Sequence, residues 1–549
     1  MTCTFALSYL ADARVLGQTA LVTLNAVLGR LDLTTAIEKE LLSRNRLMPT
    51  RWDRLSLSNS AGEVEKWLLP QLRKGLYGSR ASTVFVDKSR RGTRPISEFS
   101  LADRVLYRAL VELIAQSLPS HLTQRSTIVE FHEAPLRDTT VRYVGKADVA
   151  AYYEFVDHEL LEDELLSQTG EEPAITALMG LLERIMGRRV GLPQVHKSSD
   201  ILGDTYIDPA RRRLNRAGYS VFTFSDDFRI GSTDLASARS ALEACAAEVR
   251  VLGLVLNESK TYTYGAGKYQ KSLTSFVEAE KRLFEQADGD SEGLSLLFDS
   301  DYDDPDNVDD SLADLSLSSS PVYGRIDDDE AIVDTDDSDR SGEAPDPLQV
   351  AAAESVWQMW IDEDESDETQ SGQDAAITQS LLGRALPILG TAGDKEPLDQ
   401  LSALLRYEPA LTPQIVKYIL RYCATGPRAR TGVRAALDRV AAEANFSAWQ
   451  YMWLADAAGG VRHASKNHSH YDWLASCVEH AQPPLAATAA ASLGRLGIGR
   501  VEQLKGALDR VGEAWRPLVL WGLARVDRDA ARACADSKFD RILIESIAT

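Results

Sequence analysis

Apolar residues recur at helical spacing over the first 78 residues, predicting helices at 6–33, 35–46 and 64–76. The pattern then turns extended at Thr83-Val84-Phe85-Val86 and leads through Asp87-Lys88-Ser89-Arg90-Arg91-Gly92-Thr93-Arg94-Pro95-Ile96, a hairpin with a basic tip. Leu101, Val105, Leu106, Leu110 and Leu113 place an amphipathic helix over 100–118. After a stretch with no clear pattern, 118–142, the run 143–149 reads as a strand with Asp148 at its end, followed by a turn into a helix that Asp157 can cap. A helix at 174–186 precedes Gly191-Leu192-Pro193-Gln194, where Gly and Pro mark a turn before the next helix. Ser220 to Ile230 holds two β-branched and aromatic runs around Ser225-Asp226-Asp227, the signature of a hairpin. A strand or turn at 252–261 and a helix at 273–284 complete this half.

The pattern fails beyond 288. Residues 288 to about 373 are rich in Asp, Ser and Gly and poor in aromatics, the composition of disorder. One apolar island at 350–361, with Val356, Trp357, Met359 and Trp360, reads as a helix that docks on the folded part. From 375 onward the pattern is helical throughout, with breaks at Gly and Pro. Ser492-Leu493-Gly494-Arg495-Leu496 returns as Gly522-Leu523-Ala524-Arg525-Val526, and Ala436-Leu437-Asp438-Arg439-Val440 as Ala507-Leu508-Asp509-Arg510-Val511. Offsets of 30 and 71 residues, one and about two repeats, are the mark of stacked helix pairs of the HEAT type.

Charge sharpens this division. The chain of 549 residues carries a formal net charge of -22, which sits badly with a phosphate-rich partner. The acidity is local, however: residues 288–346 hold 21 acids against Arg325 and Arg340, and 362–374 add 7 acids and no base. The remainder is about +4, so the folded parts are mildly basic. A solvated linker is the plain reading of the acidic run; the sharper one is a mock nucleic acid lying in a basic cleft. Five scattered cysteines with no Cys-x-x-Cys argue for a reducing compartment, and neither a signal peptide nor a membrane span is read at the N-terminus. The expected location is cytoplasmic.

Adjacent carboxylates on a tight turn are costly unless a cation neutralises them, although a solvated Asp-Asp turn is the common case. A second acid in a similar setting, Asp148, changes the balance. If the 220–230 hairpin lies beside the 143–149 strand, Asp148 and Asp226 converge. Carboxylates around two metal ions are what phosphoryl transfer to a sugar hydroxyl needs.

These stretches together resemble reverse transcriptases. The residues that carry the likeness are Asp148 to His158, Gly191-Leu192-Pro193-Gln194, Phe224-Ser225-Asp226-Asp227 and Leu252 to Thr261, in the family's order, with Lys88 to Arg94 and Ser100-Leu101-Ala102-Asp103-Arg104 upstream. The likeness covers roughly 80–265. It implies an α+β fold with the fingers and palm of a right-hand polymerase, followed here by an all-α HEAT-like solenoid. The chain then divides into an N-terminal helical region (1–78), fingers and palm (79–285), an acidic linker (286–374) and helical repeats (375–549).

By the same resemblance Asp148, Asp226, Asp227 and Lys260 are catalytic, Lys260 protonating the leaving pyrophosphate. Asp148, Val149, Asp226 and Asp227 hold two Mg²⁺ ions, or Mn²⁺ in their place. Lys88 and Arg94 steady the triphosphate, Tyr153 is the steric gate against a ribose 2'-hydroxyl, and Gln194 supports the templating base. The partners implied are dNTPs, a DNA product and an RNA template, with no membrane.

Plain alternatives exist for each: a solvated basic loop for Lys88 and Arg94, core packing for Tyr152 and Tyr153, a surface lysine for Lys260, and a helix-surface ion pair for Asp103-Arg104. The family's usual glycine after the glutamine is Val195 here, a departure that bears on template seating.

A polymerase core with no nuclease, integrase or maturase motif, followed by helical repeats, resembles the bacterial abortive-infection group of defence-associated reverse transcriptases. That likeness implies antiphage defence, homo-oligomers through the helical domain and, in some members, untemplated synthesis from a protein hydroxyl. Two other classes compete. One is a ribonuclease toxin in the helical part with the palm as sensor, using Arg462 and His468; the other is a retroelement enzyme. His463, His468 and His470 crowd one loop, but no Cys or acid stands at metal-ligand spacing beside them.

Overall fold

The computed structural model describes residues 21–88, 92–273, 346–364, 372–443, 445–461 and 469–547. The chain forms two compact units, one of residues 1–40, 61–82 and 97–275, the other of 41–60, 83–96 and 276–549. Residues 41–60 and 83–96 thus gather with the C-terminal helices.

In the first unit, helix α1 (Leu33–Leu42) and helix α2 (Ala61–Arg73) fall where helical periodicity places them. The expected helix at 6–33 lies partly outside the described residues, and its described part ends at Arg30. Helix α3 (Leu101–Ala115) opens at Ser100, whose hydroxyl accepts from Asp103 N–H, and it is buried along nearly its whole length. Its Asp103-Arg104 pair is no surface ion pair. Asp103 accepts from Ser79 N–H at 3.1 Å and from Ser100 Oγ at 2.7 Å, while Arg104 Nε donates to the fully buried Glu40 at 2.7 Å. Arg108 completes the charge compensation of Glu40, with His196 at 3.2 Å beside it; against the cost of burial, Arg104 and Arg108 hold the Glu40 carboxyl well below its usual range.

The first unit's four-stranded sheet has strand order β4-β5-β3-β6, all antiparallel, built from β3 (Tyr143–Asp148), β4 (Ser220–Phe224), β5 (Asp227–Ser232) and β6 (Tyr262–Gly265). Around it lie α4 (Ile128–Glu133), α5 (His158–Thr169), α6 (Glu172–Met186), α7 (Lys197–Arg216) and α8 (Leu235–Val251). Asp157 caps α5 by accepting from Glu159 and Leu160 N–H, as its position before an apolar-periodic run predicts.

The second unit contains most of the hairpin of β1 (Ser82–Asp87) and β2 (Thr93–Glu98). Ser447 Oγ donates to Asp87, Trp449 Nε1 donates to Leu47 O, and Trp52 stacks on Trp521 at 5.8 Å. These contacts explain why 41–60 and 83–96 join distant helices. The apolar island is helix α9 (Pro347–Asp364), packed on α10 (Gly372–Ala392) with Trp357 buried and its Nε1 on Glu396 at 3.0 Å.

Then follow α11 (Thr412–Ala424), α12 (Pro427–Ala442), α13 (Ala448–Gly460), α14 (Ser469–His480), α15 (Pro483–Leu496), α16 (Val501–Leu508) and α17 (Arg516–Val526). Odd-numbered α11, α13, α15 and α17 pack in succession, and so do even-numbered α12, α14 and α16. Gly494 and Gly522, one in each of the two repeated stretches, bring α15 and α17 to backbone contact: a Cβ on Gly494 would lie 2.7 Å from Gly522 Cα. No helix among the described residues is long and apolar enough to cross a membrane.

Candidate active site

The register of β3 and β5 builds the site. Asp148 pairs with Asp227 and Lys146 with Arg229, and Val149 N–H donates to Asp226 O at 3.0 Å. Side chains two apart on a strand share a face, as do directly opposed ones, so this face carries an acidic row, Asp148 and Asp227, and behind it a basic row, Lys146 and Arg229. Asp226 sits in the two-residue turn that joins β4 to β5. Three acidic residues separated by up to 79 positions in sequence thus lie at the end of one strand pair.

Like charges facing each other across strands destabilise unless each is compensated. Asp148, 5% exposed, receives Lys260 Nζ on Oδ1 at 2.9 Å and Asn257 Nδ2 on Oδ2 at 3.1 Å. Both donors are delivered by the segment before β6: Ala150 N–H donates to Val255 O, and Asn257 N–H to Asp148 O, zipping 255–257 onto the end of β3. Asp227 is compensated by Arg229, whose Nη1 donates to it at 3.1 Å. Arg229 is buried beneath Tyr269 and His132 and lies over the Phe131 ring. Burial, with Arg229 nearby, pushes His132 down to about 2 and Lys146 down to about 8.

Among the described residues no three His, Cys, Asp or Glu side chains form a ready ligand set. Of the expected set Asp148, Val149, Asp226 and Asp227, Asp227 also gives one carboxylate oxygen to the buried Arg229. Asp148 and Asp226 remain as a pair of hard oxygen donors, both nearly buried, with the Lys260 ammonium on one of them. Divalent cations of the Mg²⁺ type fit that donor chemistry.

Tyr153 and Gln194 belong to the same unit as the acids. Tyr153 follows the left-handed Ala151 in the turn after β3. Its ring is buried and its hydroxyl donates to Asp200 Oδ1 at 2.8 Å, 3.5 Å from Ser225 Oγ. Tyr152 is core, donating to Gly203 O. The Gly191–Gln194 loop is tied to the same turn by Gly191 N–H to Val156 O and Leu192 N–H to Tyr153 O, with Gln194 Nε2 on Glu154 at 3.2 Å. His158 Nε2 donates to Gly191 O at 2.7 Å. Lys88 and Arg94 flank the turn of the β1–β2 hairpin in the other unit; Arg94 is buried. His470 is also buried, its Nδ1 on Asp438 at 2.9 Å, while Arg462, His463 and His468 lie outside the described residues.

Among the described residues the non-glycine positions with positive φ are Ala151 (48°), Val195 (58°) and Ser225 (50°). Each adjoins one of the three central motifs. Such backbone costs of order 1–3 kcal/mol per residue and gathers where geometry serves function. Val195 adopts the left-handed conformation that a glycine would take freely, so the departure in sequence leaves the turn in place and loads it with strain.

One group escaped sequence reasoning: Arg125, in the stretch without pattern. Its Nε donates to Asp204 Oδ2 at 2.6 Å, a second nitrogen lies 3.6 Å from Asp200 Oδ2, and a third donates to Ser225 Oγ. An acid pair spaced i, i+4 on α7 was the only signal, and it has no meaning until the hairpin packs against it.

Residues 86–274 match the family model described as reverse transcriptase (RNA-dependent DNA polymerase). That segment is a reverse transcriptase domain, the domain of a nucleotidyltransferase. No curated protein matches the sequence. Among solved structures, telomerase from Candida albicans in complex with a TWJ fragment of telomeric RNA is similar at 10% identity, over 65% of this chain and 66% of that one, with a TM-score of 0.27. Telomerase from Candida tropicalis, in complex with the same type of fragment, is similar at 12% identity over 73% and 67%, also with a TM-score of 0.27. The chain spans about two thirds of the length of each.

Proposed function

We propose that this protein is a DNA polymerase of the reverse-transcriptase type that adds deoxynucleotides to a hydroxyl primer. The observation that carries the reading is the register that sets Asp148 opposite Asp227 with Asp226 in the adjoining turn, inside a reverse transcriptase domain. Asp148 and Asp226 would hold two divalent ions. Those ions, when bound, supply Lewis-acid stabilisation of the attacking and leaving oxygens.

The chain's own residues do the rest. Lys260 keeps a proton at Nζ beside Asp148, available to the departing pyrophosphate. Asp227 neutralises Arg229 and so fixes the first residue of β5. Tyr153, whose hydroxyl lies 3.5 Å from Ser225 Oγ, takes the role of steric gate on the resemblance. The roles of Lys88 and Arg94 toward the triphosphate and of Gln194 toward the template rest on the resemblance.

The finer reading is a defence-associated enzyme of the abortive-infection group, with HEAT-like repeats, self-association through its helices and priming from a protein hydroxyl. What supports it is the combination of a reverse transcriptase domain with alternately packed helices in the following region. The test is to incubate purified protein with labelled dNTPs, with and without template, and to look for label attached to protein. Asp226→Ala with Asp227→Ala should abolish incorporation and, in cells challenged with phage, protection. Protection by a folded double variant would defeat the polymerase reading.

A further inference from the structure

The Ser225–Asp226 turn is held from behind by a network that the two-acid chemistry does not use. Ser225 is fully buried, with φ at 50°. Its N–H donates to Asp204 Oδ1 at 3.1 Å, and its hydroxyl accepts from Arg125. Arg125 also donates through Nε to Asp204 Oδ2 and lies 5.0 Å over the Phe224 ring, the residue before the turn. Asp204 therefore takes the main chain of Ser225 with one oxygen and Arg125 with the other, while Arg125 takes the side chain. Asp200, one helical turn earlier on α7, faces the same guanidinium and accepts from Tyr153. Two acids against one arginine and one tyrosine hydroxyl keep the guanidinium charged in spite of burial, Asp204 and Asp200 raising its pKa well above the usual value.

A left-handed, non-glycine residue persists only where its surroundings over-determine it. Here the determining groups converge on one side chain. We infer that Arg125 is a positioning residue: its guanidinium, braced by Asp200 and Asp204, locks Ser225 and thereby sets the direction in which Asp226 presents its carboxylate to divalent cations. The inference rests on the polymerase reading for the role of Asp226 and adds a residue that no motif contains. A lysine could supply the charge but not the fork that reaches both Asp204 and Ser225.

The geometry also offers a way to test it. Arg125 lines an open cavity of about 410 Å³ together with His121, Phe131, Arg211, Phe222 and Phe224, so a small guanidinium can enter where the side chain is removed. Mn²⁺ binding to the full chain is measured by the signal of the free ion, beside primer extension and thermal unfolding. Arg125→Ala should raise the Mn²⁺ concentration for half-saturation about tenfold or more, the scale of losing charge-assisted hydrogen bonds, and lower kcat more than it raises the KM for dNTP. Arg125→Lys should recover little, and millimolar methylguanidinium should restore much of the Mn²⁺ affinity of Arg125→Ala.

Ser225→Ala, which leaves the arginine and its acids in place, should shift Mn²⁺ binding in the same direction, and the double variant should be no worse than Arg125→Ala. If Arg125→Ala does not fold, Ser225→Ala decides alone: an unchanged Mn²⁺ affinity overturns the inference. So does a folded Arg125→Ala that binds Mn²⁺ like the parent, or one whose loss methylguanidinium does not repair. Failure of the polymerase reading looks different, because the parent itself would then neither extend a primer nor bind Mn²⁺ through Asp226.

Discussion

Lys260→Met separates the ion pair with Asp148 from the proton-donor role proposed for the same side chain. The ammonium lies 2.9 Å from Asp148 Oδ1, with the lysine side chain 20% exposed and the aspartate 7%. A hydrogen bond between charged groups this well shielded contributes about 1.5–3 kcal/mol. A divalent ion that takes Asp148 must first displace that bond, so the pair lowers metal affinity by the same amount. Since about 1.4 kcal/mol is tenfold in a binding constant, Lys260→Met should bind Mn²⁺ roughly 10–100-fold tighter than the parent. Single-turnover incorporation should move the other way, falling about 10²–10⁴-fold if Nζ delivers the proton to pyrophosphate. Titration with Mn²⁺ and rapid-quench extension on the same preparation give both numbers. Unchanged Mn²⁺ affinity would mean that the ion pair does not compete with the metal, and an unchanged rate would remove Lys260 from the chemistry.

Asp227→Ala should lower stability by about 3 kcal/mol, because it strips the acid from the buried Arg229, whereas Asp226→Ala should cost under about 1 kcal/mol; equal urea midpoints would contradict this. Val195→Gly should leave the protein no less stable than the parent, relief of about 1–2 kcal/mol of left-handed strain offsetting about 0.5–1 kcal/mol of added chain entropy, and a clear drop in Tm would refute the strain. Stability should also fall below about pH 6.5. His132 and His158 are kept neutral in the fold by burial, which depresses both, so the unfolded chain takes up protons that the folded one refuses. His132, pushed down to about 2, costs about 1.4 kcal/mol per pH unit there, and His132→Gln should flatten the slope between pH 6 and 5 by one proton's share.

The sequence by itself determined the local elements that carry the acids. The extended run 143–149, the β-branched and aromatic runs of 220–230, the cap at Asp157 and the Gly-Leu-Pro-Gln turn all act within a few residues, through residue propensity and turn chemistry, and they appear as strands, cap and turn in the fold. The helical character of 375 onward and the helix around Trp357 were legible for the same reason. Compensation of charge was not legible, because it depends on which distant groups the packing brings within 3 Å. Strand period puts Arg229 beside Asp227, but nothing in the sequence says that Arg229 is buried under Tyr269 and His132, nor that Asp103 and Arg104 are buried on separate partners. The grouping of 83–96 with helices beyond residue 440 depends likewise on contacts such as Ser447 to Asp87. Arg125 shows the limit most sharply: flanked by residues with no period, it acquires a role only when α7 and the β4–β5 turn close around it. Short-range periodicity is written in the chain, whereas the pairing of buried charges is settled by tertiary packing, since only there does the loss of water make each partner count.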